Sequence, residues 1–323
     1  MEQITKDILT FRIDLPKNPL KWLNCYVIKP ESGRCLLIDS GFRMEECAES
    51  LLAGIRELEL VPENTDVFFT HLHADHTGNG GMLEEMGFHT YMSRVDQELR
   101  LTNPKEISEL HMLDEGMSPE KLELCTNNPA RRFAPTHFTP EKLNDGDILT
   151  YGEHRLECVL TPGHTPGHMC LYDRENGIMF LGDHVLFDIT SNICWWPGTE
   201  DSLGDYLNSL DKIKSFDIKT PLPAHRTAGS VTLAERIEVL KTHHEVRLNE
   251  AAAIVAAHPG ITGYDIAGLM TWSVHGRSRS WEDFPAGQLV FAVGEAIAHL
   301  EHLIKLGRIR RETVDGISHY YIL

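Results

Sequence analysis

Residues 65–81 read TDVFFTHLHADHTGNGG, a short apolar run that leads directly into His71, His73, Asp75 and His76. The run DVFFT (66–70) predicts a buried strand, and the loop after it lets alternate side chains meet at one point. Neutral imidazoles with a carboxylate are ligands that Zn²⁺ and neighbouring first-row ions bind. Four ligand-type residues within six positions would rarely arise from packing alone, so the segment predicts a metal site at the end of a strand.

Three further ligand-type residues follow predicted strands: His164, Asp183 and His225. His164 lies in the proline- and glycine-rich turn TPGHTPGH (161–168), Asp183 follows IMFLG, and His225 follows LPA. Because several strand ends can direct side chains at one point, we expect these three residues to join the first four. Of the 18 histidines, a further group is interpreted as surface or satisfied core residues: His89, His111, His137, His154, His243 and His244.

Composition excludes several classes of protein. The chain has 323 residues, 41% of them hydrophobic and 24% charged, which is an ordinary globular balance and not that of a disordered chain. It holds no apolar run long enough to span a membrane, and its first residues, MEQITKDILTF, lack the apolar region of a secretory leader. The seven cysteines are scattered and never spaced CxxC, so we expect them to be reduced core residues of a cytoplasmic protein. The net charge of −18 disfavours wholesale coating of nucleic acid.

The C-terminal part of the chain has a different pattern. Helical spacing covers 233–257 and 286–306, and Thr262 is a candidate N-cap for a short helix between them. Asp315-Gly316 then predicts a tight hairpin. Three helices closed by a hairpin are typical of a winged helix-turn-helix module. Residues 236–323 carry nine Lys/Arg against ten Asp/Glu, so they are nearly neutral. We therefore predict a catalytic domain at 1–235 and a winged-helix-like domain at 236–323.

The sequence resembles the metallo-β-lactamase superfamily. The matching pieces are Asp39-Ser40-Gly41, THLHADH (70–76), TPGHTPGH (161–168), FLGDHV (180–185) and PAHR (223–226). The resemblance implies an α+β (αββα) sandwich of two mixed β-sheets flanked by helices. It also implies that His71, His73 and His164 hold a first metal ion. Asp75, His76 and His225 would hold a second ion, and Asp183 would bridge the two.

A pair of divalent cations explains why such a site would hydrolyse its substrate. Two cations about 3.5–4 Å apart lower the pKa of a bridging water and polarise the scissile carbonyl oxygen. Asp75 would be the catalytic residue that passes a proton to the leaving group, a role that the resemblance suggests. We expect attack of the bridging hydroxide on an ester, thioester or lactone of a small molecule. Zn²⁺ is the favoured metal, with Mn²⁺ and Fe²⁺ as alternatives.

Several features bear on the substrate without fixing it. The helical insertion 94–128 is interpreted either as a lid over the metals or as a dimerising element. Trp195 and Trp196 line an apolar substrate pocket or pack in the core. Arg226 binds a substrate carboxylate or forms a structural salt bridge. His168 and His184, beside the ligands, are expected to pack around them rather than to bind metal.

Two alternative functions remain open at this stage. The C-terminal segment resembles the winged-helix domain of the β-lactamase-like-protein-2 group, some of whose members cleave RNA. Arginines make parts of it basic: Arg277, Arg279, Arg308, Arg310 and Arg311. One alternative is therefore a metal-dependent endoribonuclease, and the other is a nucleic-acid-binding regulator with a structural metal site. The acidic charge of residues 1–235 disfavours RNA, so we expect a small acyl substrate.

Overall fold

The structure is a computed structural model that describes residues 1–16, 18–127, 133–229, 231–272 and 281–323. The chain divides into two compact units. The first consists of Met1–Arg100, Ala130–Ser191 and Ser209–Ile237, and the second of Leu101–Pro129, Asn192–Asn208 and Glu238–Leu323. The second unit therefore contains two segments from the middle of the sequence besides the C-terminal residues. The predicted insertion 94–128 is divided between the units after Arg100.

The elements up to the middle of the chain are, in order, β1 (Glu2–Gln3), β2 (Ile8–Asp14), β3 (Trp22–Ile28), β4 (Cys35–Ile38), α1 (Glu45–Glu57), β5 (Thr65–Phe69), α2 (Ala74–Thr77), α3 (Gly80–Glu85), β6 (His89–Ser93), α4 (Arg94–Arg100), α5 (Pro104–Asp114), α6 (Pro119–Thr126), β7 (Glu141–Leu143) and β8 (Ile148–Tyr151). Those that follow are β9 (His154–Leu160), β10 (Met169–Asp173), β11 (Ile178–Gly182), α7 (Ser202–Lys214), β12 (Thr220–Pro223), α8 (Leu233–Ala257), β13 (Ile261–Thr262), α9 (Gly263–Leu269), α10 (Ala286–Lys305), β14 (Ile309–Val314) and β15 (Ile317–Ile322).

The first unit contains two mixed β-sheets. One sheet has the strand order β1-β2-β3-β4-β5-β6-β7 within the described residues; its pairs are antiparallel up to β4 and parallel from β4 to β7. The other has the order β12-β11-β10-β9-β8, in which only the β11–β12 pair is parallel among the described strands. The two mixed sheets that the sequence predicted are present.

The alternation of side chains along a strand explains why one sheet packs in two separate core clusters. On β2, Ile8 packs in a cluster that joins residues of both sheets, whereas Phe11 and Ile13 pack in a second cluster with Leu51 and Ile55 of α1. Successive side chains point to opposite faces of a strand, so one sheet supplies both clusters. The run TDVFF of β5 is buried throughout, because both of its faces are covered. The strand that leads to the predicted metal site is therefore rigidly held.

The second unit contains the C-terminal helices and a small sheet. That sheet has the order β13-β15-β14 in the described part of the chain. The hairpin between β14 and β15 turns at Asp315 and Gly316, whose φ angles are +51° and +85° as a type I′ turn requires. Thr262 accepts a hydrogen bond from the backbone N–H of Asp265, 3.2 Å away, at the start of α9. The predicted hairpin and the predicted N-cap are confirmed.

Two further sequence predictions can be compared with the structure. All seven cysteines are free, and six of them are buried, as expected for reduced core residues. Among the described residues, no helix combines the length and the apolar character needed to cross a bilayer.

A buried ion pair in the second sheet gives a prediction about pH. His154 Nδ1 donates to Asp173 Oδ2 across 2.6 Å, and this bond raises the pKa of His154. Burial raises the pKa of Asp173, but the hydrogen bonds from His154 and Asn176 lower it by a larger amount, so the net shift of this pKa is downward. The contribution of His154 is fully present below its unfolded pKa of about 6.5 and is lost as pH rises through the raised folded value. The contribution of Asp173 is present above about pH 4 and is lost as pH falls through the lowered folded value.

His154→Gln should therefore lower the free energy of unfolding most between about pH 4 and 6.5. We expect a loss of about 1.5–3 kcal/mol at pH 5.5, the range for a hydrogen bond to a charged group, and a smaller loss at pH 9. Urea denaturation across this pH range measures it. The matched control is His258→Gln, because His258 is exposed. Equal losses at both pH values would contradict the prediction.

Candidate metal centre

Three imidazoles converge at the end of β5. His71 and His73 directly follow that strand, and His164 lies in the turn between β9 and β10. His71 Nε2 lies 3.0 Å from His73 Nδ1, which lies 2.9 Å from His164 Nε2. Nitrogens that share a tetrahedral Zn²⁺ at 2.0–2.1 Å are about 3.3 Å apart. The spacing of the three nitrogens is thus close to what a shared metal ion needs.

A second group lies beside the first. Asp75 and His76 are in α2, and His225 follows β12. Asp75 Oδ2 is 3.3 Å from His225 Nε2 and 3.7 Å from His76 Nε2. One ligand atom from each of these residues lies within 4.8 Å of the others, as in the first group. This group too could hold a metal ion.

Asp183, at the end of β11, contacts members of both groups. Its Oδ2 is 3.6 Å from His164 Nε2 and 3.6 Å from His76 Nε2, and its Oδ1 is 3.5 Å from His225 Nε2. All seven ligand-type residues that the sequence singled out are therefore brought together. The strands that end at this edge come from both sheets, which is why residues far apart in sequence meet here.

Unsatisfied polar atoms test whether these residues fit a metal. His76 Nε2, His225 Nε2 and Asp183 Oδ1 are buried and have no hydrogen-bond partner among the described residues. A buried polar atom without a partner costs about 1–3 kcal/mol, so native folds rarely keep several together. A divalent cation would satisfy all three atoms at once, and imidazole nitrogens with carboxylate oxygens are the donor set that Zn²⁺ accepts. The residues fit the metal.

Hydrogen bonds on the far side of the rings orient the imidazoles. His225 Nδ1 donates to the carbonyl oxygen of Trp22 over 2.9 Å, and His76 Nδ1 donates to Asp39 Oδ2 over 2.8 Å. His71 Nδ1 donates over 3.0 Å to the hydroxyl of Thr70, which itself donates to Asp39. In each ring Nδ1 is bonded on the side away from the centre, so Nε2 is directed toward it.

Asp39 is a functional residue whose role the sequence analysis missed. Its carboxylate accepts from the ligand-type residue His76 and from both the hydroxyl and the backbone N–H of Thr70, the residue before His71. The sequence showed it only as part of the Asp39-Ser40-Gly41 motif. Its φ of +63° is uncommon for a residue with a side chain, and short Asx residues tolerate it best. The signal available in the sequence was the position of Asp39, an Asx residue directly after the apolar strand β4.

His168 supports Asp183 without joining the ligands. Its Nε2 accepts from the backbone N–H of Asp183 over 3.1 Å, and its Nδ1 donates to the hydroxyl of Thr161 over 2.8 Å. His184 is also buried, with its ring centroid 5.9 Å from that of His168. Both arrangements match the expectation that these two histidines pack around the ligands.

The two groups of ligands differ in charge. Burial, and then the neighbouring imidazoles, lower the pKa of His71 well below its usual value, and burial and His164 lower that of His73 to about 3. Burial also lowers the pKa of His76. The carboxylates of Asp39, Asp75 and Asp183 together raise it by a larger amount, so the net shift of this pKa is upward. Without metal, His71 and His73 are therefore neutral acceptors, whereas His76 and its carboxylate neighbours form a charged cluster.

The carboxylates of the centre shift in the opposite direction. Burial raises the pKa of Asp75, but the imidazoles of His76 and His225 lower it by a larger amount, to about 2. Burial likewise raises the pKa of Asp183, while His225 and His76 lower it well below its usual range. Both carboxylates are thus ionised at neutral pH, as metal binding requires.

The residues predicted to line a substrate pocket take different positions. Trp196 is buried, whereas Trp195 is half-buried and stacks on His111 with ring centroids 4.0 Å apart. Arg226 Nη2 donates to the carbonyl oxygen of Pro19, and the guanidinium lies 5.5 Å from the ring of Trp22. In the described part of the chain Arg226 bonds a backbone carbonyl rather than a carboxylate. Its role toward a substrate, like that of the tryptophans, stays a prediction.

The glycine after the histidine motif yields a testable prediction. A Cβ at Gly78 would lie 2.3 Å from the backbone nitrogen of Arg43 and 2.5 Å from the carbonyl oxygen of Gly41. Backbone atoms cannot move aside as a flexible side chain can, so Gly78→Ala should displace α2. We expect a loss of about 1–3 kcal/mol in the free energy of unfolding. We also expect weaker zinc binding, measured by competition with a chelator. Gly33→Ala is the control for zinc affinity alone: its φ of +101° makes alanine strained there, but the added Cβ meets no atom within 4 Å and the loop carries no ligand, so zinc affinity should stay at the wild-type value. Unchanged affinity in Gly78→Ala would contradict the expectation.

Comparison with known proteins agrees with this geometry. The sequence profile of the Metallo-beta-lactamase superfamily matches residues 23–225, which include all seven ligand-type residues. The chain belongs to that superfamily. A second profile, the Metallo-beta-lactamase-like C-terminal domain, matches residues 283–322 of this superfamily member. The predicted sandwich of mixed sheets and helices is confirmed as the metallo-β-lactamase fold, and the chain is a metal-dependent hydrolase.

Individual relatives and solved structures resemble the chain to different extents. Acyl-coenzyme A thioesterase MBLAC2 of Gallus gallus is 28% identical over 204 residues, 60% of this chain and 69% of that protein. Atrochrysone carboxyl ACP thioesterase of Emericella nidulans is 28% identical over 211 residues, 65% of this chain and 53% of that protein. A metallo-beta-lactamase family protein of Thermus thermophilus superposes with a TM-score of 0.80 at 25% identity, covering 99% of this chain and 100% of that one.

Proposed function

We propose that this superfamily member hydrolyses the thioester of a small acyl substrate with two divalent metal ions. The observation that carries the proposal is the convergence of seven ligand-type side chains, three of which keep unsatisfied buried atoms. Two relatives of similar sequence are named as thioesterases, one for acyl-coenzyme A and one for an acyl carrier protein. These names support a thioester over an oxygen ester or a lactone.

The first ion would be held by His71, His73 and His164, and the second by Asp75, His76 and His225. Asp183 would reach both, since its two oxygens lie near members of each group. When bound, such ions acidify a water molecule and polarise a carbonyl oxygen. We propose Zn²⁺ for both positions because imidazoles dominate the ligand set.

The residues of the chain itself would hold and move protons. The N–H of His76 and that of His225 are bound to Asp39 and to the carbonyl of Trp22, so both rings stay in the tautomer that presents Nε2. Asp75 directs Oδ2 toward His225, and its carboxylate is ionised, so it would first accept the proton that the attacking water releases and then pass that proton to the departing thiolate. Asp75 is therefore the catalytic residue that we propose.

Contacts in the second unit argue against RNA as the substrate. We propose that residues 236–323 form a winged-helix module, since α8, α9 and α10 are followed by the β14–β15 hairpin. Its arginines are engaged within the protein: Arg308 donates to Asn249, Arg310 pairs with Glu312, and Arg311 pairs with Glu301. Phosphate contacts need basic side chains whose charge is not already offset, and carboxylates offset the charges of Arg310 and Arg311, whereas Arg308, bonded to a neutral amide, keeps its charge. Arg277 and Arg279 lie outside the described residues.

A substrate panel tests the proposal. Protein purified without added metal would first be analysed for its metal content. It would then be assayed with Zn²⁺, Mn²⁺ and Fe²⁺ on acyl-coenzyme A esters, acyl N-acetylcysteamine thioesters, lactones and labelled RNA. We expect thioester turnover, no cleavage of RNA, and no retention on heparin at moderate salt. RNA cleavage without thioester hydrolysis would overturn the proposal in favour of an endoribonuclease. Heparin retention without any turnover would indicate a regulator.

A further inference from the structure

Asp96, in the first turn of α4, is a buried carboxylate that the proposed mechanism does not use. It is fully buried, and no cation lies within 4.0 Å of it among the described residues. Burial raises its pKa to about 6, although three hydrogen bonds oppose that shift. Burial of a carboxylate without a cation costs free energy, and the hydrogen bonds that Asp96 accepts offset part of that cost.

The hydrogen bonds of Asp96 reach the two loops that carry the first group of ligands. Its Oδ2 accepts from the backbone N–H of Leu72 over 2.8 Å, and Leu72 stands between His71 and His73. The same oxygen accepts over 2.7 Å from the hydroxyl of Thr165, the residue after His164. Its Oδ1 accepts from the backbone N–H of Gly167 over 2.7 Å. One carboxylate therefore ties the histidine motif to the turn that holds His164.

The space around Gly167 shows how closely the turn that holds His164 packs against Asp96. A Cβ at Gly167 would lie 2.3 Å from the backbone nitrogen of Asp96 and 2.6 Å from its Oδ1. The turn can thus approach the start of α4 only because it has a glycine there. The backbone N–H of Asp96 is in turn bonded to the hydroxyl of Ser93 over 3.2 Å, which fixes where α4 begins after β6. Ser93 thus fixes the backbone of Asp96, while the two ligand loops bind its carboxylate.

We propose that Asp96 is a positioning residue that sets the distance between the His71–His73 loop and His164, and thereby the affinity of that group for a divalent metal. The proposal rests on the metal centre of the proposed function. Hydrogen bonds to groups around the ligands commonly govern metal affinity, and their loss costs about 10- to 100-fold. Asp96 differs from the usual case because it bonds the backbone of the ligand loops rather than a ligand ring. It would act on the spacing of the nitrogens and not on their basicity.

The test is zinc affinity of Asp96→Asn, measured by competition with a chromogenic chelator. The amide has the shape of the carboxylate, but its NH₂ group must face at least one of the donors that Asp96 accepts. We expect the dissociation constant for Zn²⁺ to rise about 10- to 100-fold. In the metal-free protein, we expect faster hydrogen exchange at the amides of Leu72 and Gly167. Asp173→Asn is the matched control, because that buried carboxylate accepts from His154 and Asn176 and from no ligand loop. It should keep wild-type zinc affinity.

A second variant covers the case in which Asp96→Asn does not fold. Thr165→Val keeps the shape of a buried side chain and removes only the hydroxyl that Asp96 accepts from. It should weaken zinc binding about 10-fold, the lower end of the same range. Zinc affinity equal to that of Asp173→Asn in the folded variants would overturn the role of Asp96. The two proposals fail separately, since a wild-type chain that binds zinc but cleaves no thioester overturns only the proposed substrate.

Discussion

Asp75→Ala should lower thioester turnover by about 100- to 10,000-fold, the range for loss of a proton-transferring group. The substitution removes a carboxylate that lies 3.3 Å from His225 Nε2 and that the imidazoles of His76 and His225 keep ionised in spite of its burial. It therefore removes both a ligand of the second group and the proton donor for the leaving thiolate. Steady-state assays on one acyl-coenzyme A ester measure the effect, and elemental analysis of the same sample measures the bound metal.

The fold should survive this substitution, because Asp75 lies at the metal centre and not within either core cluster. Circular dichroism should match that of the wild type. Asp217→Ala is the control for loss of an aspartate, since the side chain of Asp217 is 83% exposed. It should keep wild-type turnover. Full activity in Asp75→Ala with normal metal content would contradict the proposed mechanism.

Sequence patterns predicted those parts of the fold that depend on local information. The helix predicted at 233–257 has those bounds, and the helix predicted at 286–306 begins at Ala286 and ends one residue early, at Lys305. The strands β6 and β7 were not predicted, because β6 (HTYMS) mixes polar residues and β7 is only three residues long. Both are stabilised by parallel pairing with residues distant in sequence, and short-range periodicity carries no signal of such pairing.

The ligand set was predictable for a different reason. Ligand-type residues stand at strand ends, where a sheet edge brings them together, and the motif His-x-His-x-Asp-His is specific. The residues that orient the ligands were harder to find. Asp96 lies 24 and 71 positions from the two backbone N–H groups that it accepts from. In the sequence it stood at the start of a polar helical stretch that was interpreted either as a lid or as a dimerising element. Only the tertiary structure shows that this aspartate points inward.

Addition of Zn²⁺ to metal-free protein should raise the free energy of unfolding by about 4 kcal/mol when free zinc reaches a thousand times its dissociation constant. The folded chain holds the ligand nitrogens of His71 and His73 3.0 Å apart, an arrangement that the unfolded chain does not keep. Zinc therefore binds the native state in preference. It also satisfies the buried Nε2 atoms of His76 and His225, which have no hydrogen-bond partner among the described residues.

Urea denaturation at several zinc concentrations measures this effect, and a chelator should reverse it. His164→Ala should lose the stabilisation that comes from the first ion, because only two imidazoles of the first group remain, and should keep the part that the second ion contributes. The matched control is His258→Ala, since His258 is exposed and lies far along the sequence from the ligands. It should keep the full effect. If zinc stabilises His164→Ala as much as the wild type, the ion binds elsewhere, and the first group of ligands does not form the site. The concentration dependence is decisive, because specific binding raises the stability with the logarithm of free zinc, whereas adventitious binding to the unfolded chain lowers it.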